Sequence, residues 1–236
     1  MKIEKYSGRV VEGPTENVYV YEAPVRLWHW ITVLTFIPLV VTGYLIADPP
    51  RSIGPEEATF AYGFAWIRII HFSCAMVFAV AFLMRIYWAI VGNHHARALF
   101  LPPLWSLAWW KGLFSQGAYY LFLKKEPESW IGHNPLAQMA MLANFVLGTV
   151  VIIVTGFALY AQQWAWGDSW MFWFGWVHVL LGEPQAVRTV HHLTMYYLLL
   201  FAIIHIYMVF REDVMGKEAV LSTMVNGIRA FKSKEH

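Results

Sequence analysis

Residues 191–205 read HHLTMYYLLLFAIIH. Between the histidines at its two ends the stretch is apolar, and it belongs to a run over 191–210 long enough to cross hydrocarbon as a helix. His205 follows His191 by 14 residues. At about 100° per residue that step returns to within roughly 40° of the starting direction, about 21 Å further along the axis. One face of one helix therefore offers two imidazoles at two depths of a bilayer. Ionisable side chains inside a span are costly and mark functional sites by default.

Outward from this stretch, three further runs of comparable length occur at 27–47, 66–91 and 136–160. Hydrophobic residues make up 58% of the 236 and charged residues 14%, against roughly 45–50% and about 25% in soluble domains. Mean hydropathy is +0.47. The expected fold is an all-α membrane protein, a four-transmembrane-helix bundle forming a single membrane domain over 1–236. Two aromatic stretches, 104–123 and 164–181, are broken by Lys111, Gln116, Asp168 and His178, and are expected as extra interfacial helices. Residues 1–20 are polar and lack the apolar core of a signal peptide, so no cleaved leader is expected.

Lys and Arg cluster in three places. Lys2, Lys5, Arg9 and Arg26 precede the first span; Arg97, Lys111, Lys124 and Lys125 lie between the second and third; Arg211, Lys217, Arg229, Lys232 and Lys234 follow the fourth. The other two loops hold only Arg51 and Arg188, with Arg68 just inside the second span. The positive-inside bias puts the N-terminus, the middle loop and the C-terminal tail in the cytoplasm. A net charge of +2, with no basic run interleaved with aromatics, speaks against nucleic acid.

With that orientation four histidines sort by depth. His71 and His191 fall near the outer face, and His29 and His205 near the inner. Neutral imidazole suits haem iron, and two axial histidines favour electron transfer over oxygen chemistry. Two non-covalent b-type haems are therefore expected, the outer held by His71 and His191, the inner by His29 and His205. Covalent c-type attachment needs two cysteines, and the chain has one, Cys74. Arg26, Arg68 and Arg188 each lie three residues before a proposed ligand, and Arg85 lies 14 after His71. These guanidinium groups are candidates for pairing haem propionates, with interfacial anchoring as the alternative for the first three. Val41-Thr42-Gly43-Tyr44-Leu45 is echoed by Val154-Thr155-Gly156-Phe157-Ala158. Gly43 and Gly156 either admit a porphyrin edge or allow close helix approach. Asn134 before Pro135 reads as a helix N-cap with His133 structural beside it. His178 is a candidate contact for a partner or headgroups, or a structural residue. Residues 220–231 are expected as a short helix.

Several segments together resemble one family. They are Tyr19-Val20-Tyr21-Glu22-Ala23-Pro24-Val25-Arg26-Leu27-Trp28-His29-Trp30, then Ile67-Arg68-Ile69-Ile70-His71-Phe72, Met84-Arg85-Ile86-Tyr87-Trp88 and Gly92-Asn93. Ile131-Gly132-His133-Asn134-Pro135-Leu136-Ala137, Arg211-Glu212-Asp213 and Ser222-Thr223-Met224-Val225 follow in order. The chain resembles, over roughly residues 18–231, the b-type cytochrome subunit of membrane-bound uptake nickel–iron hydrogenases. Arg188 and Val190 depart from the His and Trp expected there.

The resemblance implies an inner-membrane subunit that anchors the hydrogenase small and large subunits at the outer face. Electrons would pass from the small subunit's iron–sulfur relay through the outer and inner haems to quinone. By analogy with the formate dehydrogenase membrane subunit, Asn93, His94, His95 and His205 are candidates for the quinone pocket. Nickel–iron chemistry needs paired cysteine thiolates, so hydrogen activation falls to a partner chain. The alternatives are the cytochrome b subunit of a formate- or thiosulfate-type oxidoreductase, a cytochrome reduced by quinol, and a structural anchor without a redox role.

Overall fold

The computed structural model describes residues 15–49, 62–124, 130–163, 168–216 and 220–232. Arg51, most of the basic N-terminal segment, Lys125 and residues 164–167 of the second aromatic stretch lie outside them. Strand β1 (Thr15–Tyr19) leads into helix α1 (Ala23–Ala47), then α2 (Gly63–Val91), α3 (His94–Ala98) and α4 (Leu107–Tyr120). Helix α5 (Pro135–Ala140) runs through a π-helical turn, Met141–Val146, into α6 (Leu147–Ala161). Helices α7 (Ser169–Phe174), α8 (Trp176–Leu181), α9 (Pro184–Gly216) and α10 (Val220–Asn226) precede strand β2 (Ile228–Lys232).

Four helices are long and apolar enough to cross a membrane: Ala23–Ala47, Gly63–Val91, Pro135–Ala161 and Pro184–Val214. They extend beyond the apolar runs that mark them. The fourth begins at Pro184, seven residues before His191, because helix geometry tolerates polar first turns that hydropathy does not count. On α1 the residues Leu27, Trp30, Leu34, Ile37, Val41 and Tyr44 recur at steps of three and four and are 44–70% exposed. An apolar stripe of that length has lipid, not water, as its solvent. Helix α4 has 14 residues, about 21 Å, short of a hydrocarbon core of about 30 Å.

The chain divides into two compact units. The first takes its residues from Met1–His29, Arg85–Leu142 and Ala202–His236. In it β1 and β2 pair antiparallel, Thr15 opposite Lys232 and Tyr19 opposite Ile228. The helix expected over 220–231 therefore stops at Asn226. Gly227, at φ +81°, turns the chain where its carbonyl accepts the Val20 N–H at 2.8 Å, and a Cβ there would lie 2.6 Å from the Tyr21 carbonyl oxygen. Val20, Tyr21, Val25 and Ala96 form the local core, with Trp88, Ile131 and Met224 packed on it. Glu22 Oε2 accepts from Trp88 Nε1 at 2.9 Å and from the Asn93 backbone N–H at 3.0 Å. Asn134 caps α5 by accepting from Ala137 N at 2.7 Å, with Pro135 in the first turn, as its sequence context implies.

The second unit comprises Trp30–Met84 and Ala143–Phe201. Ala158, Val177 and Val187 form its buried cluster, with Phe174 and Leu181 alongside. Phe157 packs against Trp170 and Phe174 at 5.6 and 5.1 Å between ring centroids. His178 is buried and its Nε2 donates to the Ala158 carbonyl at 3.0 Å. It is thus a structural tie between α8 and α6, and the outward-contact reading of this residue falls away.

Candidate functional site

In the second unit each of two histidines meets a threonine on another helix. Thr42 of α1 donates its hydroxyl to the Pro38 carbonyl at 2.5 Å, the i−4 bond a helical threonine makes. The same Oγ1 lies 2.9 Å from Nδ1 of His71 on α2. Thr155 of α6 donates to the Val151 carbonyl at 2.7 Å and lies 2.9 Å from Nδ1 of His191 on α9.

The next residue on each helix is glycine, and each glycine faces the imidazole its neighbour binds. A Cβ at Gly43 would lie 3.4 Å from His71 Cε1, and one at Gly156 3.1 Å from His191 Cε1. The first is an ordinary contact and the second a tight one, so the missing side chain matters for the ring edge at Gly156. In the sequence the echo between these segments draws attention to their glycines rather than to their threonines. The signal was present, since Val-Thr-Gly occurs in both. Arg68 donates to Gln163 Oε1 at 3.0 Å and stacks 5.5 Å over Phe72. Arg188 is exposed on the early turns of α9.

In the first unit His29 on α1 and His205 on α9 are both half-buried. Arg85 is 2% exposed. Its Nη2 donates to the Ala96 carbonyl at 2.7 Å, and its guanidinium lies over the rings of Trp28 and Phe100 at 5.3 and 5.1 Å. Nε and Nη1 have no hydrogen-bond partner among the described residues. A buried cation with two idle donors is costly unless an anion meets it, and a carboxylate suits that fork. Arg26 donates through Nη1 to the Val225 carbonyl, tying α1 to α10.

Asn93 caps α3 by accepting from Ala96 N at 2.8 Å and donates to the Val20 carbonyl at 3.0 Å. His94 is exposed, and His95 half-buried with its Nδ1 2.9 Å from where a Gly132 Cβ would stand. His133 meets the Tyr21 hydroxyl through Nδ1 at 2.8 Å. Burial, reinforced by His205, Arg229 and Arg85, pushes the His133 imidazole down to about 3. Burial raises the Tyr21 phenol. Both are neutral near pH 7.

Among the described residues no three or more His, Cys, Asp or Glu side chains converge on one point. What the residues fit is a porphyrin, whose iron needs only two protein ligands and whose propionates need cations. Four half-buried imidazoles on three of the four apolar helices, with a buried guanidinium that keeps two donors without a partner among the described residues and no cysteine pair for covalent attachment, define a membrane cytochrome of the b type.

The chain belongs to the prokaryotic cytochrome b561 family, whose model matches residues 20–227. It is 52% identical over 218 residues to a probable Ni/Fe-hydrogenase B-type cytochrome subunit of Azotobacter chroococcum, covering 91% of this chain and 89% of that one. A protein of the same name from Cupriavidus necator is 46% identical, covering 95% and 92%. The probable Ni/Fe-hydrogenase 1 B-type cytochrome subunit of Escherichia coli K12 is also 46% identical, covering 94% and 96%. The resemblance read from the sequence segments is matched, and haem b is the cofactor that membership implies.

Proposed function

We propose that the chain is the membrane-anchoring electron-transfer subunit of a hydrogen:quinone oxidoreductase. It would connect the iron–sulfur relay of a periplasmic nickel–iron hydrogenase to the quinone pool of a bacterial inner membrane. The observation that carries this reading is the matched arrangement of His71 and His191, each fixed through Nδ1 by a back-bonded threonine. The names of the relatives favour a hydrogenase over a formate- or thiosulfate-type partner.

Two haems b are proposed, the outer on His71 and His191, the inner on His29 and His205. Each pair falls wholly within one compact unit, which supports this pairing over a crossed one. Bound haem b supplies one-electron carriage between ferric and ferrous iron. His71 with His191 and His29 with His205 would hold the two groups, and a haem held by two imidazoles would favour electron transfer over oxygen chemistry. Arg85 is assigned to an inner propionate, with Arg26 keeping an idle Nε beside that unit's strand pair. Arg68 and Arg188 are assigned to the outer ones, where Gly43 and Gly156 leave room at the ligand rings. For quinone, His95 and His205 are the proposed contacts with His94 at the rim, and Asn93 shapes the turn that presents them.

The charge bias of the loops supports an orientation with both termini and the middle loop in the cytoplasm and the hydrogenase small and large subunits at the outer face. Quinone reduction near the inner pair would draw protons from the cytoplasm while hydrogen oxidation releases them outside. A pyridine haemochrome assay should give two haems b per purified chain. His71→Ala and His191→Ala should each halve that content by losing one haem, and His29→Ala and His205→Ala should lose the other. Loss of one common haem in His71→Ala and His205→Ala overturns the pairing.

A further inference from the structure

We infer that Thr42 and Thr155 are a matched pair of positioning residues that hold His71 and His191 in the tautomer an iron ligand requires. The inference rests on the reading of those histidines as haem ligands. A hydroxyl has one proton to give. Thr42 Oγ1 lies 2.5 Å from the Pro38 carbonyl oxygen, and Thr155 Oγ1 2.7 Å from that of Val151. Two oxygens that close, with no proton between them, repel, so each hydroxyl proton is spent on the backbone. The contact between each Oγ1 and Nδ1, 2.9 Å in both cases, then requires the proton to come from the imidazole.

A neutral imidazole that donates from Nδ1 carries its lone pair on Nε2, where an iron bond forms. Thr42 and Thr155 are 6% and 3% exposed, so water has little access to replace either hydroxyl.

The duplication makes this more than local packing. The same dipeptide, a threonine at Nδ1 followed by a glycine beside Cε1, stands on α1 facing α2 and on α6 facing α9. Both proposed ligands of one haem thus receive the same second contact. Donation from Nδ1 to an oxygen acceptor makes the imidazole more basic and favours ferric iron. Thr35 offers the contrast within α1. It is buried and makes the same i−4 bond, 2.8 Å to the Ile31 carbonyl, and among the described residues its hydroxyl bonds backbone carbonyls only.

The test uses the full chain, purified with its haem, as Thr42→Val, Thr155→Val, the corresponding Ser variants and Thr35→Val. Each Val variant should raise the midpoint potential of one haem, leave the other at its wild-type value and shift the g values of one low-spin ferric signal. It should also release that haem to excess apomyoglobin about tenfold faster. The Ser variants should restore all three readings, and Thr35→Val should change none. Val variants with wild-type potential, g values and haem retention overturn the inference, provided His71→Ala and His191→Ala lose the haem. If those two alanine variants keep it, the ligand reading itself fails. Should the Val variants not fold, pulsed EPR on the wild-type protein carrying ¹⁵N-histidine decides. An exchangeable proton on the remote nitrogen of both ligands is expected, and its absence from either overturns the inference.

Discussion

Gly43 and Gly156 occupy matching places in an echoed motif but leave different clearances. A Cβ at Gly43 would make ordinary contacts, 3.4 Å to His71 Cε1 and 3.5 Å to Met195 Sδ, whereas one at Gly156 would press on His191 Cε1 at 3.1 Å. Alanine is favoured over glycine in a helix interior by about 1 kcal/mol. Gly43→Ala should therefore keep its haem and unfold at an equal or higher temperature. Gly156→Ala must move the imidazole or the helix, and should lose haem several-fold relative to Gly43→Ala. Haem per chain and the ferric EPR signal measure the difference, and equal retention in the two variants would show that ring clearance does not decide it. The histidines and glycines were legible in the sequence because spacing and repetition mark them. The threonines were not, because a helical Thr bonding its own backbone is common, and only the facing imidazole, 29 or 36 residues away, gives it a role.

At the scale of elements, the four spans are legible because predominantly apolar runs of about 20 residues, even with an occasional His or Arg, rarely form anything but a membrane crossing. Their ends were less so, as Pro184 shows for α9. The β1–β2 pair was invisible: TENVY and IRAFK are five residues each, lie near opposite ends of the chain, and form a ladder only once the chain has closed. Asn93 shows how an element fixes the meaning of a residue. Resemblance placed it in a quinone pocket, yet its Oδ1 caps α3 and its Nδ2 ties Val20 to that cap. Asn93→Asp should keep the cap and lose the Val20 bond, and Asn93→Ala should lose both. Loss of a cap costs about 1 kcal/mol and a lost backbone partner a comparable amount. Thermal stability should fall stepwise from Asn to Asp to Ala while the KM for quinone in the assembled complex stays constant. A KM that rises sharply in the Asp variant, without loss of stability, would return Asn93 to the quinone site.

Over the whole molecule the proposed order of transfer, partner to His71/His191 to His29/His205 to quinone, makes the two histidine pairs unequal in ways that separate hydrogen oxidation from its reverse. Membranes in which the chain is assembled with its hydrogenase provide the assay. Under hydrogen, His29→Ala and His205→Ala should still allow rapid reduction of the remaining haem, because their lesion lies downstream of it, yet quinone reduction should fall at least tenfold. His71→Ala and His191→Ala should block hydrogen-driven reduction of the haem that remains, since electrons no longer reach it. Added quinol should still reduce that haem, because in the proposed order the inner pair is the one next to the quinone. The reversed pattern, with hydrogen reaching the His29/His205 haem in the His71→Ala membranes, would place the partner at the other face. The charge distribution of the loops would then have been misread as an orientation signal.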